Sequence, residues 1–404
     1  MKTVIRVVAF VFCSSAVALF GSGSSPTWVG TWACSPYADA KLVEPRPAAG
    51  DTLRQIVRVS IGGSRVRLRI SNACGATALV LDHVHLAHAA GQDAIDPSSD
   101  RTVMFHGQPR VSVPAGGLMV SDPVDFPLAP RSDVAITMRF SEVPAVLTLH
   151  PGSRTTSYLE TGDGVSAEKL AGATKVVRWY FINGLDVVAA DTQHAAAVLG
   201  DSITDGYGTT TDHNNRWTDG LVQRLQSNPV TAGIGLLNEG IGGNRLLRDG
   251  NGPNALARFD RDVLAQTNVR WLIILEGVND LGTGTTARKH GEPFASAAEI
   301  IGALEQLILR ARTHGLKVMG GTITPFAGHE YFSPESEAAR REVNNWIRTS
   351  GQFDAVIDFD AALRDSKIPD RLAAEFDCGD HLHPSVAGYQ RMADAVDLAL
   401  FAGN

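Results

Sequence analysis

The chain changes texture near residue 190. From Trp28 to about Val188, short apolar stretches alternate with polar positions and are broken repeatedly by Gly, Pro, Asn or Asp. Residues 55–60, 64–71, 78–88, 102–105, 133–140 and 174–182 carry the alternating or β-branched pattern of strands. Arg65-Val66-Arg67-Leu68-Arg69-Ile70 alternates cleanly, as a strand with one wet face does. Many short strands with no convincing helix predict an all-β domain, a sandwich or jelly roll.

From Gln193 onward the rhythm becomes strand, loop, helix. Residues 195–199, 235–238, 271–275, 317–323 and 355–359 are apolar runs suited to buried parallel strands. Between them, residues 295–313 keep Ile300, Ile301, Leu304, Leu307, Ile308 and Ala311 at i, i+3/i+4 spacing, a helix with one apolar face. Residues 336–350 and 386–400 behave alike. Strands alternating with helices predict an α/β domain of three layers, α/β/α and flavodoxin-like, with a parallel sheet covered on both faces. The expected division is 26–190 for the β-domain and 191–404 for the α/β domain. In such sheets the functional groups gather at the carboxyl ends of the strands.

Length agrees, since 404 residues exceed what one ordinary core accommodates. With 44% hydrophobic and 20% charged residues the composition is that of a globular protein, and a net charge of −7 carries no nucleic-acid footprint. Residues 1–25 stand apart: Lys2 and Arg6 precede an uncharged, mostly apolar stretch over 7–20, and Gly21-Ser22-Gly23-Ser24-Ser25 follows. That order is the signature of a secretory signal peptide, and the apolar run is shorter than the ~20 residues of a bilayer span. The mature protein is therefore expected outside the cytoplasm, extracellular or periplasmic, and free of the membrane. Phe12 before Cys13 argues against a lipoprotein anchor. Three cysteines would remain, Cys34, Cys74 and Cys378, compatible with a Cys34–Cys74 bridge or with three thiols.

Four polar clusters fall where α/β chemistry belongs. Gly200-Asp201-Ser202-Ile203-Thr204 follows the first parallel strand, placing a serine at a strand-to-helix turn. It is not the Gly-x-Ser-x-Gly elbow, because position 204 is Thr. Asn238-Glu239-Gly240-Ile241-Gly242-Gly243-Asn244 follows the second strand, and its glycines let a backbone N–H approach a ligand. Glu276-Gly277-Val278-Asn279-Asp280 follows the third, offering an amide donor. Asp380-His381-Leu382-His383-Pro384 precedes the last helix, with an acid three residues ahead of a histidine and able to hold its Nδ1–H. Taken singly, each reads equally as an ordinary turn or cap. A metal site on His381 and His383 lacks a third ligand nearby. In joint order the four form a hydrolase constellation.

At these residues the chain resembles the SGNH or GDSL hydrolases, over about residues 193–402, and within them the secreted branch with an N-terminal β-domain. By that resemblance Ser202 matches the nucleophile, Gly243 the backbone oxyanion donor and Asn279 the side-chain donor. Asp380 and His383 match the terminal acid and base, and the Ser202 N–H completes the oxyanion hole. Gly242 stands where serine is frequent. The resemblance implies a two-step acyl transfer needing no metal or organic cofactor. Histidine ionising near ~6.5 then predicts activity that falls on the acid side.

For the substrate, the resemblance implies short-chain acyl esters, small-molecule or polysaccharide, with O-deacetylation of a polysaccharide favoured. No long apolar lid of the kind a lipase uses is visible, and loop residues Tyr207, Trp217, His329, Tyr331 and Phe332 suit stacking on sugars or ordinary loop packing. A lipase or arylesterase of the same family is the alternative enzyme, and an inactive carbohydrate-binding protein the alternative from another class. Arg154-Thr155-Thr156-Ser157-Tyr158 in the first domain is either a cluster reaching the cleft or a surface strand. Asp201 is expected to shape the nucleophile turn, and neither it nor Asp205 has the histidine-adjacent placement of Asp380.

Overall fold

The computed structural model describes residues 26–39, 44–190, 192–282 and 295–402. The expected export segment, residues 1–25, lies outside them. Among the described residues no helix is long and apolar enough to cross a membrane.

The first part is antiparallel throughout. One sheet runs Thr27–Ala33, Ile182–Ala189, Gly63–Ser71 and Leu118–Val120, with Val124–Leu128 also pairing on Gly63–Ser71. A second runs Thr174–Val176, Ser157–Thr161, Asp51–Arg58, Asp133–Glu142, Leu79–His88 and Arg101–Thr102, with Val111–Val113 on Leu79–His88. Their alternate residues, among them Leu53, Val57, Val66, Leu68, Ile70, Ile136, Met138, Leu185 and Val187, fill one apolar core. The stretch expected as one strand over 174–182 is broken into three, with Phe181 at a left-handed φ of +59° where the chain changes partners. Of 102–105, only Thr102 pairs in a strand, in Arg101–Thr102. Strand Val124–Leu128 escaped the sequence pattern because Pro127 interrupts it, although its burial alternates as an edge strand's does.

The wet face expected for 65–70 is a domain interface. Arg67 and Arg69 both bind the buried Asp186, and Arg69 continues to Gln266 (2.9 Å) and Thr267 of the second domain. Ala195 and Leu237, on parallel strands, join the apolar core of the β-domain. The domains thus meet through core-like packing.

The second part is a five-stranded parallel sheet in the spatial order Gly235–Gly240, Ala195–Gly200, Val269–Leu275, Lys317–Gly321, Ala355–Ile357. In chain order that is 2-1-3-4-5, the flavodoxin-like arrangement, whose switch point opens between the first and third strands. Helices Trp217–Ser227 and Val386–Ala395 pack together on one side, Ala297–Thr313 and Pro334–Thr349 on the other. Ser296 and Glu299 close a reciprocal capping box that starts the third of these. Ser333 caps the fourth, with Pro334 at its first position, two residues before the expected start. The last two strands stop earlier than their apolar runs. Asp358 caps a new helix, Phe359–Leu363, so Phe359 belongs to it rather than to a strand. The final helix ends at Ala395, and Asp397 begins a separate turn over Leu398–Phe401.

Cys34, Cys74 and Cys378 are free thiols, so the Cys34–Cys74 bridge is not formed. The buried Cys34 Sγ faces the Ile182 carbonyl at 3.3 Å instead.

Candidate active site

Strand Ala195–Gly200 ends at a glycine because nothing larger fits. A Cβ on Gly200 would lie 2.2 Å from Thr204 Oγ1 and 3.0 Å from the Leu275 carbonyl. The chain then turns through Ser202–Asp205. Asp201 Oδ1 accepts from Ile203 N (2.9 Å), and Gly206, at φ +95°, closes the turn onto the Ser202 carbonyl. At four residues this turn has little macrodipole, and hydrogen bonds rather than a helix field shape it. Burial pushes the Asp201 carboxyl up to about 7.

From the far end of the domain, Asp380 and His383 come up to this turn. Ser202 Oγ lies 2.7 Å from His383 Nε2, and His383 Nδ1 lies 2.7 Å from Asp380 Oδ2. Asp380 Oδ1 also accepts from the backbone of Leu382 (3.0 Å) and His383 (2.8 Å). Partial burial disfavours the Asp380 charge, but the hydrogen bonds from His383 outweigh it and hold the carboxyl well below its usual range. The two histidines weighed as metal ligands are engaged elsewhere, while the ligand atoms of Asp377, Cys378 and Asp380 lie within 4.8 Å of one another. Both ring nitrogens of His383 are engaged, and His381 turns away to Asp377 (2.6 Å).

The glycine-rich loop lies against the nucleophile turn. Gly243 has a left-handed φ of +74°, and a Cβ there would meet Asn251 Nδ2 at 2.9 Å. Gly242 is not so constrained; its nearest neighbour would be Asp205 Oδ2 at 3.5 Å. Asn279 is anchored by Nδ2 donating to the Asn244 carbonyl (2.9 Å), while its Oδ1 accepts from Tyr331 Oη (3.1 Å). Asp280 ties the two loops together by accepting from the backbone of Leu246 (2.8 Å) and Leu247 (3.1 Å). All five residues expected from the sequence, Ser202, Gly243, Asn279, Asp380 and His383, therefore gather at one end of the parallel sheet.

Beneath them sits a group that sequence reasoning missed. Arg258, fully buried, donates to the carbonyls of Gly200 (3.0 Å) and Glu239 (2.7 Å), to Asn244 Oδ1 (2.9 Å) and to Ser35 Oγ (2.9 Å). Its charge faces Asp262 (3.2 Å) and Glu276 (3.5 Å). One guanidinium thus pins the ends of the first two strands and the glycine-rich loop. No motif marks it, because its partners are scattered from Ser35 to Glu276.

The β-domain enters the site as well. His150 Nε2 lies 2.9 Å from Asp205 Oδ1, and Arg154 Nη2 3.3 Å from Asp205 Oδ2. Arg216 donates to the Asp205 carbonyl (3.1 Å) and to the Ser153 carbonyl. A Cβ on Gly152 would strike Asp205 Oδ2 at 1.9 Å, so the β-domain loop packs tightly on the nucleophile turn. Of the 154–158 cluster, Arg154 reaches Asp205 of the nucleophile turn, while Ser157 and Tyr158 open the strand Ser157–Thr161 and are buried, not on the surface. Of the loop aromatics, Tyr207 is 46% exposed with its ring 4.2 Å from that of His383. Trp217 is wholly buried against Phe359 (5.2 Å), a core residue rather than a sugar platform. His329 and Tyr331 meet edge to face at 4.5 Å, and Phe332 packs partly buried on the core.

The model of the GDSL-like Lipase/Acylhydrolase family matches residues 198–391. A comparison with curated proteins returned no match. Among solved structures, an acetylxylan esterase of Geobacillus stearothermophilus, in a catalytic mutant form, is 23% identical with a TM-score of 0.40, covering 52% of this chain and 93% of that one. A carbohydrate acetylesterase of Sinorhizobium meliloti is 18% identical with a TM-score of 0.40, covering 52% and 100%. A GDSL-like lipase of Bacteroides thetaiotaomicron is 16% identical with a TM-score of 0.39, covering 52% and 90%.

Proposed function

Since the chain belongs, through its C-terminal region, to the GDSL-like lipase/acylhydrolase family, we propose that it is an exported esterase removing short acyl groups, acetyl foremost, from polysaccharide or small-molecule esters. The observation that carries this is the 2.7 Å contact between Ser202 Oγ and His383 Nε2. Ser202 and His383 are a serine-based catalytic pair acting on carboxylic esters. Asp380 completes the triad in this reading, keeping the imidazole in the tautomer whose Nε2 accepts a proton.

The steps follow from these positions. His383 Nε2 takes the Ser202 hydroxyl proton as Oγ attacks the ester carbonyl, and the tetrahedral oxyanion forms. The N–H groups of Ser202 and Gly243 and the second Nδ2 hydrogen of Asn279 receive that charge, each donor worth roughly 3–4 kcal/mol. His383 returns its proton to the departing alcohol oxygen, leaving an acyl-Ser202. Water, deprotonated by His383, then attacks the acyl carbon, and Ser202 leaves with the proton. Every proton moves among Ser202, His383, substrate and water.

Sugars are favoured by the part-exposed Tyr207 ring beside His383, an aromatic edge against which a pyranose can rest. Export rests on the leader pattern of residues 1–25, and the division into 26–190 and 191–404 on the change of sheet type. The test is hydrolysis of p-nitrophenyl acetate and acetylated xylan by wild type and Ser202→Ala. Cleavage of both by wild type, with a loss of roughly 10⁶-fold in the variant, is expected. Full activity in Ser202→Ala would remove Ser202 as nucleophile, and a preference for octanoate over acetate would favour a lipase.

A further inference from the structure

Two basic side chains of the β-domain stand beside the nucleophile turn without a place in the steps above. His150 presents both ring nitrogens to oxygen: Nδ1 lies 2.9 Å from the Ser35 carbonyl and Nε2 2.9 Å from Asp205 Oδ1. A carbonyl only accepts, so Nδ1 carries a hydrogen. The bond to Asp205 then needs a second hydrogen, on Nε2 or on the carboxyl group. Arg154 takes the other carboxyl oxygen of Asp205, 3.3 Å from Nη2.

Arg154 is held there at a cost. Its φ of +49° is left-handed, a conformation that strains a side-chain-bearing residue. The catalytic domain fixes it: Asp212 N donates to the Arg154 carbonyl (2.9 Å), and the Asp212 carboxylate accepts from Thr156 N (2.6 Å) and Oγ1 (2.7 Å). Arg154 Nε is buried with no acceptor among the described residues, although the side chain as a whole stays 25% exposed. Its guanidinium stands 5.5 Å over the Tyr207 ring, and that ring lies 4.2 Å from the His383 ring. The order along this wall is thus imidazole, phenol, guanidinium. Because His383 protonates the departing alcohol, the wall beside its ring flanks the alcohol half of the substrate.

We propose that Arg154 is a specificity-determining residue that binds a carboxylate on the alcohol half of the ester, so that the enzyme prefers acyl esters of acidic alcohols such as acidic sugar units. This rests on the serine-esterase reading and deepens it. The β-domain thereby supplies substrate recognition across the domain interface. A guanidinium that meets Asp205 through Nη2 keeps other N–H groups for a second carboxylate.

The test compares kcat/KM for 4-acetoxybenzoate and its neutral analogue 4-acetoxybenzamide, in wild type, Arg154→Gln and Arg154→Lys. Dividing the wild-type acid/amide ratio by that of Arg154→Gln cancels the intrinsic reactivity of the two esters and any general loss of activity. A quotient of about 10 or more is expected, with Arg154→Lys between the two and the wild-type ratio falling as NaCl rises from about 10 to about 500 mM. A quotient within about twofold of unity overturns the proposal. If thermal melting shows that Arg154→Gln does not fold, the salt series decides: a wild-type ratio that stays flat overturns it. Cleavage of both esters without discrimination defeats this proposal alone. Failure to cleave either, or undiminished cleavage by Ser202→Ala, defeats the esterase reading beneath it.

Discussion

The Tyr331 hydroxyl donates to Oδ1 of Asn279 across 3.1 Å, while Nδ2 of the same amide donates to the Asn244 carbonyl at 2.9 Å. Held at both ends, the amide cannot flip, and its second Nδ2 hydrogen keeps one direction. Burial raises the Tyr331 hydroxyl above its usual range, so it remains a donor through neutral pH. Tyr331→Phe is expected to lower kcat roughly tenfold with KM little changed, since only the aim of the amide is loosened. Asn279→Ala removes the donor itself and is expected to cost about 10²–10³ in kcat. Steady-state kinetics on p-nitrophenyl acetate separate the two, and an unchanged kcat in Asn279→Ala would exclude the amide from the oxyanion hole.

Asp380 supplies three hydrogen-bond acceptances to its own loop and to His383. Asp380→Asn is nearly isosteric but holds the imidazole in the wrong tautomer. A fall in kcat of roughly 10⁴ is expected, with the fold retained by circular dichroism. A loss under tenfold would show that another group orients His383.

Arg258 joins the ends of the first two parallel strands to the glycine-rich loop. Arg258→Met deprives the Gly200, Glu239, Asn244 and Ser35 acceptors of their buried donor, while Asp262 keeps Arg261, at a cost of about 3–5 kcal/mol. Arg258→Lys is expected to rescue little, because one ammonium cannot serve the Gly200, Glu239, Asn244 and Ser35 acceptors together. Urea unfolding measures both, and near-wild-type stability in Arg258→Lys would contradict the tie.

Burial pushes the Asp280 carboxyl up to about 6, against hydrogen bonds from Leu246 and Leu247 that favour its charge. A carboxyl raised above its unfolded value of about 4 binds its proton more tightly in the native state. Its stabilisation is therefore full below about pH 4 and is lost as pH rises through about 6, up to roughly 3 kcal/mol in all. Asp280→Asn cannot ionise and lacks this slope. Its melting temperature is expected to gain on that of wild type between pH 4 and about 7.5. A difference that does not change with pH would place the Asp280 carboxyl elsewhere on the scale.

Much of the second domain is legible in the sequence. The run 271–275 is too apolar for a half-exposed strand, and Ile300, Leu304, Leu307 and Ile308 recur at helical spacing; both are local properties that burial merely honours. The ends of elements were less legible. The apolar runs at 317–323 and 355–359 continue past their strands, because Ile323 and Phe359 are buried without being paired in the sheet. In the β-domain, Pro127 and the left-handed Phe181 interrupted the period on which strand reading depends.

By itself the sequence determined the order of the proposed site residues: Ser202, Gly243, Asn279 and Asp380 with His383, each beside a strand or helix end. An Asp three residues before a His turns back on it by local geometry alone, and Gly243 needs its left-handed φ within its own loop. Only the tertiary structure decided what surrounds them. Ser202 meets His383 across 181 residues, His150 meets Asp205 across 55, and Arg258 finds Ser35 across 223. No periodicity records such pairings, because they arise where two cores close against each other. Arg67 and Arg69 make the point: their alternation fixes that they share a face, and only the docking of the second domain makes that face an interface.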